Sequence, residues 1–152
     1  MAEPGARPPE TLLGFDFGVR RIGIAIGNTL TGDARPLAII DSVPKDRRFD
    51  RIGALLREWR PDRLVVGRPL DEDGAETETT RRTDTFANQL HGRFGLPVER
   101  VDERFSSREA QAIIASAGGR PDDEDGVAAA VILSQYLDGL RRLPGPGTPT
   151  DR

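Results

Sequence analysis

Three short apolar runs follow one another in the first third of the chain, separated only by turn-forming residues. They are Leu12–Asp16, Arg21–Gly27 and Pro36–Ile40. Runs of this length and composition predict β-strands. Because the linkers are too short to hold a crossover helix, consecutive strands must run in opposite directions. The first part of the chain is therefore predicted to form an antiparallel meander.

After the meander, segments with helical and strand patterns alternate. Apolar residues first recur at helical spacing, at Phe49, Ile52, Leu55, Leu56 and Trp59. The segments that follow are a strand at Leu64–Gly67, a helix over about 77–91, a strand at Val98–Val101, a helix after the capping-box sequence at Ser106, and a last helix over about Asp125–Arg141. Alternation of this kind predicts parallel strands added to the meander. We expect an α/β fold with a mixed five-stranded sheet flanked by helices.

The length of 152 residues predicts one domain. Residues 1–10 contain three Pro and one Gly, and residues 143–152 have a similar composition, so both are predicted to be flexible tails around a domain at 11–142. The chain has no apolar run long enough to cross a bilayer, and its first ten residues have no apolar core of a secretory signal. We expect a cytoplasmic protein with no membrane contact, either a monomer or a homodimer.

The residue types available limit any metal site to carboxylate ligands. The chain has no Cys and one His, which excludes thiolate and multi-histidine sites. Oxygen ligands favour hard divalent ions such as Mg²⁺ or Mn²⁺. The net charge of −3 argues mildly against a non-specific nucleic-acid binder.

Acidic residues stand at three places, two of them at the carboxyl ends of strands, beyond which ligands bind in α/β sheets. Asp16 closes the first strand, Asp102 and Glu103 close the last, and four acids over 122–125 open the final helix. Three converging carboxylates suit a pair of divalent ions acting on a phosphodiester. An alternative is structural, since acids in the first turn of a helix complement its dipole. Spacing alone does not choose among residues 122–125.

Several motifs in one order resemble the YqgF family, also called RuvX or Holliday-junction-resolvase-like proteins. They are GFDFGVRRIGIAIGN (Gly14 to Asn28), GDARPL (Gly32 to Leu37), VVGRPLDEDG (Val65 to Gly74), FANQLHGRFGLPV (Phe86 to Val98), DERFSSREA (Asp102 to Ala110) and DGVAAAVILSQYL (Asp125 to Leu137). The resemblance covers about residues 11–140 and implies a ribonuclease H-like fold.

The resemblance also implies which residues form the site. Asp16, Glu103 and Asp125 correspond to the family's catalytic, metal-binding acids, and Asp102 is a further candidate ligand. The implied cofactor is Mg²⁺ or Mn²⁺. Gly126 departs from the family pattern directly after Asp125, and we expect it to loosen the start of the last helix. The basic residues inside the matched motifs are candidate nucleic-acid contacts, with ion pairing to the same acids as the alternative: Arg20, Arg21, Arg68 and Arg104.

The implied function is hydrolysis of phosphodiester bonds by a metal-dependent nuclease, in 5′-end processing of the precursor of 16S ribosomal RNA. Structured RNA is the favoured partner. One alternative is a resolvase that cuts branched DNA, and another is a catalytically weak factor for RNA binding or ribosome assembly. A third is nucleotide binding, because FDFGVRRIG resembles the first phosphate loop of actin-like ATPases. Those enzymes bind ATP between two lobes, and this chain is long enough for only one.

Overall fold

The computed structural model describes residues 8–102 and 124–142 of the chain. The elements in these two ranges follow the predicted order. Their bounds are Thr11–Phe17 (β1), Arg21–Asn28 (β2), Ala34–Asp41 (β3), Lys45–Trp59 (α1), Arg63–Arg68 (β4), Glu78–Phe94 (α2), Val98–Asp102 (β5) and Glu124–Arg142 (α3). The helix predicted after Ser106 lies outside the described residues.

The five strands form one sheet in the order β3-β2-β1-β4-β5, with β1 at its centre. β1 pairs antiparallel with β2, and β2 pairs antiparallel with β3. On its other side β1 pairs in parallel with β4, and β4 pairs in parallel with β5. The predicted mixed sheet is therefore confirmed. Because β1, β4 and β5 are parallel, their carboxyl ends lie along one edge, which we call the carboxyl edge.

One face of the sheet, the α1/α2 face, is covered by an apolar core rich in aromatic rings. Phe15 of β1, Phe49 of α1 and Phe86 of α2 are almost fully buried there. The ring of Phe86 lies 6.0 Å from each of the other two. These contacts attach both helices to the central strand.

The opposite face, the α3 face, is covered by the last helix. Leu12 and Val65 of the sheet pack against Leu133 and Leu137 of α3, and all four are buried. A side chain at Gly14 would meet this helix directly, since its Cβ would lie 2.9 Å from Leu133 Cβ. The absence of a side chain at Gly14 therefore lets α3 lie close to the centre of the sheet.

The first described residues are bonded to the sheet. Glu10 falls at the end of the predicted amino-terminal tail, and its backbone N–H donates to Thr29 Oγ1 at 2.8 Å. The Arg63 guanidinium donates to Glu10 Oε1 at 3.1 Å. Among the described helices, none is both long enough and apolar enough to cross a membrane.

Candidate functional site at the carboxyl edge

Asp16 lies near the end of the central strand, on the α3 face of the sheet. Successive strand residues point to opposite faces. Leu12 packs against α3, whereas Phe15 packs against α1 and α2. Asp16 is four residues beyond Leu12 and therefore shares its face. It is half-buried, so a rigid central strand holds a partly accessible carboxylate.

A row of paired residues connects Asp16 with the far side of the sheet. Asp16 pairs with Gly23 of β2, and Gly23 pairs with Ile39 of β3. Neighbouring strands are about 4.8 Å apart, so Ile39 lies about 10 Å from Asp16 across the sheet. Gly23 adds no side chain to the space between them.

The first turn of α3 lies over the β3 end of this row. A Cβ at Gly126 would lie 3.3 Å from Pro36 Cβ and 3.8 Å from Ile39 Cγ1. Gly126 is buried and belongs to the helix. Gly126 therefore lets the helix start lie closely on β3. That this glycine loosens the helix start stays a prediction. Asp125 directly precedes Gly126, so its backbone lies in the first turn of α3, on the same face of the sheet as Asp16.

A tight turn after Asp16 fixes the end of β1. The turn joins Phe17 to Arg21, and a Cβ at Gly18 would lie 2.5 Å from the carbonyl oxygen of Arg21, too close for any side chain. The carbonyl of Arg20 accepts a hydrogen bond of 2.8 Å from the backbone N–H of Ser42. The turn is thus bonded to the end of β3.

Asp102 does not share the face of Asp16. It is the last residue of β5 and pairs with Arg68 of β4. Val101 packs with the α3 face, so its neighbour Asp102 points to the α1/α2 face, where it is exposed. The structure therefore does not bring Asp102 beside Asp16.

The other two predicted ligands are covered only in part. Glu103 lies outside the described residues, and of Asp125 only the backbone is described. Within the described ranges, no three His, Cys, Asp or Glu side chains come together as a metal site. Asp16 contributes a half-buried carboxylate on the α3 face, and an oxygen donor of this kind fits Mg²⁺ or Mn²⁺.

The predicted nucleic-acid contacts fall at different places on the carboxyl edge. Arg20 and Arg21 are exposed at the turn after β1. Arg104 lies outside the described residues. Arg68, at the end of β4, is held by acids of the loop and helix that follow it.

Arg68 belongs to a network of ion pairs with α2. Its Nε donates to Asp84 Oδ1 at 3.0 Å, and its Nη2 donates to Asp84 Oδ2 at 3.0 Å and to Glu76 Oε2 at 2.6 Å. Arg100 of β5 donates to the same Asp84 Oδ1 at 3.2 Å. The hydrogen bonds from Arg68 lower the pKa of Asp84, and Arg100 lowers it further. The two acids raise the pKa of Arg68 in turn.

Sequence reasoning did not identify Asp84 as the partner of two basic strand residues. It lies on a polar helix face on which charged residues are ordinary. Its role depends on the register between β4 and β5, which places Arg68 and Arg100 near the same turn of α2. No local sequence signal carries that information.

A protein-family model described as "RuvX: Holliday junction resolvase" matches residues 10–139. Two similar relatives are named "Putative pre-16S rRNA nuclease". The relative from Bordetella pertussis is 61% identical over 133 residues, 88% of this chain and 97% of that protein. The relative from Paraburkholderia phytofirmans is 53% identical over 140 residues, 92% of this chain and 95% of that protein.

Solved structures with a similar fold include two resolvases. Thermus thermophilus RuvC, in complex with a Holliday junction substrate, matches with a TM-score of 0.54 at 17% identity, over 90% of this chain and 98% of that one. The fowlpox virus resolvase, also in complex with its substrate Holliday junction DNA, matches with a TM-score of 0.56 at 14% identity, over 86% of this chain and 98% of that one. Likeness at such identities concerns the fold alone, and it confirms the predicted ribonuclease H-like fold.

Proposed function

The chain belongs to the RuvX family, and on that premise we propose that it is a hydrolytic nuclease acting on phosphodiester bonds. Because its relatives share the name of a pre-16S rRNA nuclease, we propose that its substrate is the 5′ end of the precursor of 16S ribosomal RNA. We assign this activity to the domain over residues 11–142, acting in the cytoplasm. Structured RNA is its partner in this account.

The position of Asp16 is the observation that supports this proposal most. Its carboxylate is half-buried at the carboxyl edge, on the central strand, beside a row position where Gly23 adds no side chain. The start of α3 is packed on the same face. A carboxylate held in this way on a rigid strand keeps its position when a charged substrate approaches.

We assign the metal-binding role to Asp16, Glu103 and Asp125, which would hold Mg²⁺ or Mn²⁺. When bound, such ions supply Lewis-acid stabilisation of the phosphodiester and lower the pKa of a water. Glu103 directly follows the last residue of β5, and Asp125 directly precedes Gly126. The end of β5 and the first turn of α3, which flank these two acids in sequence, lie at the same end of the sheet as Asp16.

The chain's own residues supply orientation and charge. The turn at Gly18, bonded to Ser42, holds Arg20 and Arg21 next to Asp16. We propose that these two arginines contact phosphates, together with Arg104. Arg68 is engaged by Asp84 and Glu76. We propose that Arg68 fixes the end of β4, and that the N–H groups it does not use for these acids contact phosphate.

A panel of labelled substrates tests the proposed function. It contains a 5′-extended fragment of precursor 16S RNA, an unstructured RNA and a four-way DNA junction, each incubated with Mg²⁺ or Mn²⁺. We expect metal-dependent cutting, with the precursor RNA cut fastest. Absence of cutting in every arm, with the protein still binding RNA, would favour the assembly-factor alternative and overturn the proposal.

A second candidate is a resolvase, supported by the description of the family model. It uses the same carboxylates, because three acids do not distinguish RNA from DNA. The panel separates the two, since a resolvase cuts the four-way junction in preference to every RNA. That result would support the proposed metal-dependent hydrolysis but identify branched DNA, and not RNA, as the substrate.

A further inference from the structure

A pocket of about 360 Å³ opens on the α1/α2 face, next to the carboxyl edge. It lies between the turn after β1, the loop from β3 to α1, and the exposed side of α2. Phe17 lines it, and Phe17 directly follows Asp16 in β1. The pocket and the Asp16 carboxylate therefore lie on opposite faces of the same strand end.

Arg48 is a buried cation in the wall of this pocket. Its exposed fraction is 5%, and its nearest acceptors are neutral. Nη1 donates to the Ser42 carbonyl at 3.3 Å and to Ser42 Oγ at 3.4 Å, and Nη2 donates to Gln89 Oε1 at 3.4 Å. These bonds are long, since N–H···O bonds centre near 2.9–3.0 Å. Its Nε has no hydrogen-bond partner among the described residues.

Arg48 is surrounded by aromatic rings, whose cation–π attraction offsets part of the cost of burying its charge. Its guanidinium carbon lies 5.0–5.4 Å from the ring centroids of Phe17, Phe49 and Phe86. Burial lowers the pKa of Arg48, and the charge of Arg93 lowers it further. A buried charge is normally paired with an opposite charge, because desolvation is otherwise uncompensated. An anion in the pocket would supply that pair.

Other positive groups surround the same space. Lys45 and Arg82 line the pocket, and no carboxylate is among the described residues that line it. Arg82 also forms an ion pair with Glu78, one turn earlier on α2, at 2.5 Å. Lys45 is also the first residue of α1, whose N-cap Pro44 has no side-chain hydrogen bond and whose first turn carries one acid, Asp46. The free N–H groups and the dipole of a helix N-terminus attract anions, above all phosphate. Three side chains and a helix start therefore favour one negatively charged ligand.

Part of the remaining wall is apolar and exposed, and the rest is formed by the polar residues Ser42, Thr85 and Gln89. Val19 is 60% exposed and Val43 is 62% exposed, and both line the pocket with Phe17. The volume exceeds what a phosphate alone would fill. A flat apolar group attached to the phosphate would cover these side chains, as bases cover apolar and aromatic surfaces in single-strand binding sites.

We propose that this pocket binds one unpaired nucleotide of the substrate strand, with its phosphate at Arg48, Lys45 and Arg82 and its base against Val19 and Val43. The proposal rests on the proposed nuclease function, because a strand seated here continues past Phe17 to the edge that carries Asp16. A nucleotide bound on the α1/α2 face of β1 would position the next phosphodiester of the strand near Asp16 on the α3 face.

Binding to the metal-free protein tests the proposal without cleavage. A short single-stranded RNA, adenosine monophosphate, adenosine and inorganic phosphate are titrated with a chelator present. We expect the RNA to bind more tightly than the monophosphate, and the monophosphate more tightly than adenosine or phosphate. Equal affinity for phosphate and monophosphate would overturn the base contact. Equal affinity for monophosphate and RNA would identify a free nucleotide as the ligand and overturn the proposal.

Substitutions of residues that line the pocket test whether the RNA binds there. Lys45→Gln and Arg82→Gln should each weaken RNA binding by roughly 3-fold to 10-fold and reduce the magnitude of the salt slope by about 0.7. Arg48→Gln should do the same if circular dichroism shows that it folds. Arg81→Gln is the control, because Arg81 is an exposed neighbour on α2 outside the pocket lining. Equal effects of R81Q and R82Q would overturn the proposal.

The two proposals can fail separately. Loss of cleavage in an Asp16 variant that retains pocket binding supports both. Unchanged RNA affinity in K45Q and R82Q, with cleavage still dependent on Asp16, overturns the pocket and leaves the nuclease. Intact pocket binding in a protein that cuts no substrate overturns the nuclease.

Discussion

At the scale of single residues, the basic side chains of the matched motifs differ in what they can do. Arg68 was a candidate phosphate contact, and ion pairing was the alternative interpretation. The structure shows it bonded to Asp84 and Glu76, so its charge is already compensated. Arg20 and Arg21 are exposed at the turn. Their exposure makes these two the more accessible cations near Asp16.

The Arg68–Asp84 pair predicts a pH-dependent stability. The pKa of Asp84 is lowered in the folded protein, mainly by hydrogen bonds from Arg68. Its contribution is therefore fully present above the unfolded pKa of about 4 and is lost as pH falls through the lower folded value. Asp84→Asn should reduce the free energy of unfolding at about pH 7, and the deficit should shrink as pH falls below the unfolded pKa of about 4.

Urea unfolding of both proteins at several pH values measures this difference. Asp138→Asn is the control, because Asp138 is exposed on α3 and should change stability little at any pH. A D84N deficit that stays constant down to the lowest pH would contradict the assignment.

Arg48 shows a limit of sequence reading at this scale. It precedes Phe49 and stands four residues before Ile52, so it occupies the apolar stripe of α1. A basic residue in an apolar stripe is a sequence signal that could have predicted a buried charge. What the spacing cannot show is that Ser42 and Gln89, from two other segments, are its neutral acceptors.

At the scale of elements, strand order and direction were predictable because period and linker length dictate them. Short linkers force the antiparallel meander, and intervening helices force parallel strands. The closeness of α3 to the sheet was not predictable. It depends on Gly14 and Gly126, which are far apart in sequence and face the same helix–sheet contact from opposite sides.

A pair of glycine substitutions tests this close approach. Gly14→Ala places a Cβ 2.9 Å from Leu133 Cβ and 3.2 Å from the Ala129 carbonyl oxygen. Overpacking against a helix backbone should lower the free energy of unfolding by about 1–3 kcal/mol. Gly139→Ala on α3 meets nothing within 4 Å and should raise it by about 0.5–1 kcal/mol through helix propensity.

Denaturant unfolding of both variants measures the expected decrease and the expected increase in the free energy of unfolding. A G14A protein as stable as the parent would show that α3 can move away without loss. In that case, close packing of α3 on the sheet would not be the reason that its start lies near Asp16.

At the scale of the whole molecule, the candidate site depends on segments far apart in sequence. Asp16 could be predicted from its place at a strand end, and Asp125 was selected among four acids only by the family resemblance. Asp102 was a further candidate ligand, but strand alternation puts it on the face opposite to Asp16. Which face a carboxylate takes depends on exact strand bounds, which a pattern of apolar residues does not define.

Metal binding should appear in the stability of the whole molecule. A divalent ion held by Asp16 and its partners stabilises the folded state, by about 2.7 kcal/mol at one hundred times its dissociation constant. We expect Mn²⁺ to raise the unfolding midpoint of the parent and of Asp138→Asn, with little effect on Asp16→Asn. Calorimetric melting with and without Mn²⁺ measures this. An equal shift in all three proteins would show that the ion binds elsewhere.

The most direct test of the account is the cleavage rate of Asp16→Asn on the best substrate of the panel, with Mg²⁺ or Mn²⁺ present. Asp138→Asn removes one carboxylate charge at an exposed position of α3 and serves as the matched control. If Asp16 is a metal ligand, D16N should lose at least about 100-fold in rate, while D138N keeps the parental rate. A D16N protein that cuts as fast as the parent would contradict the central claim.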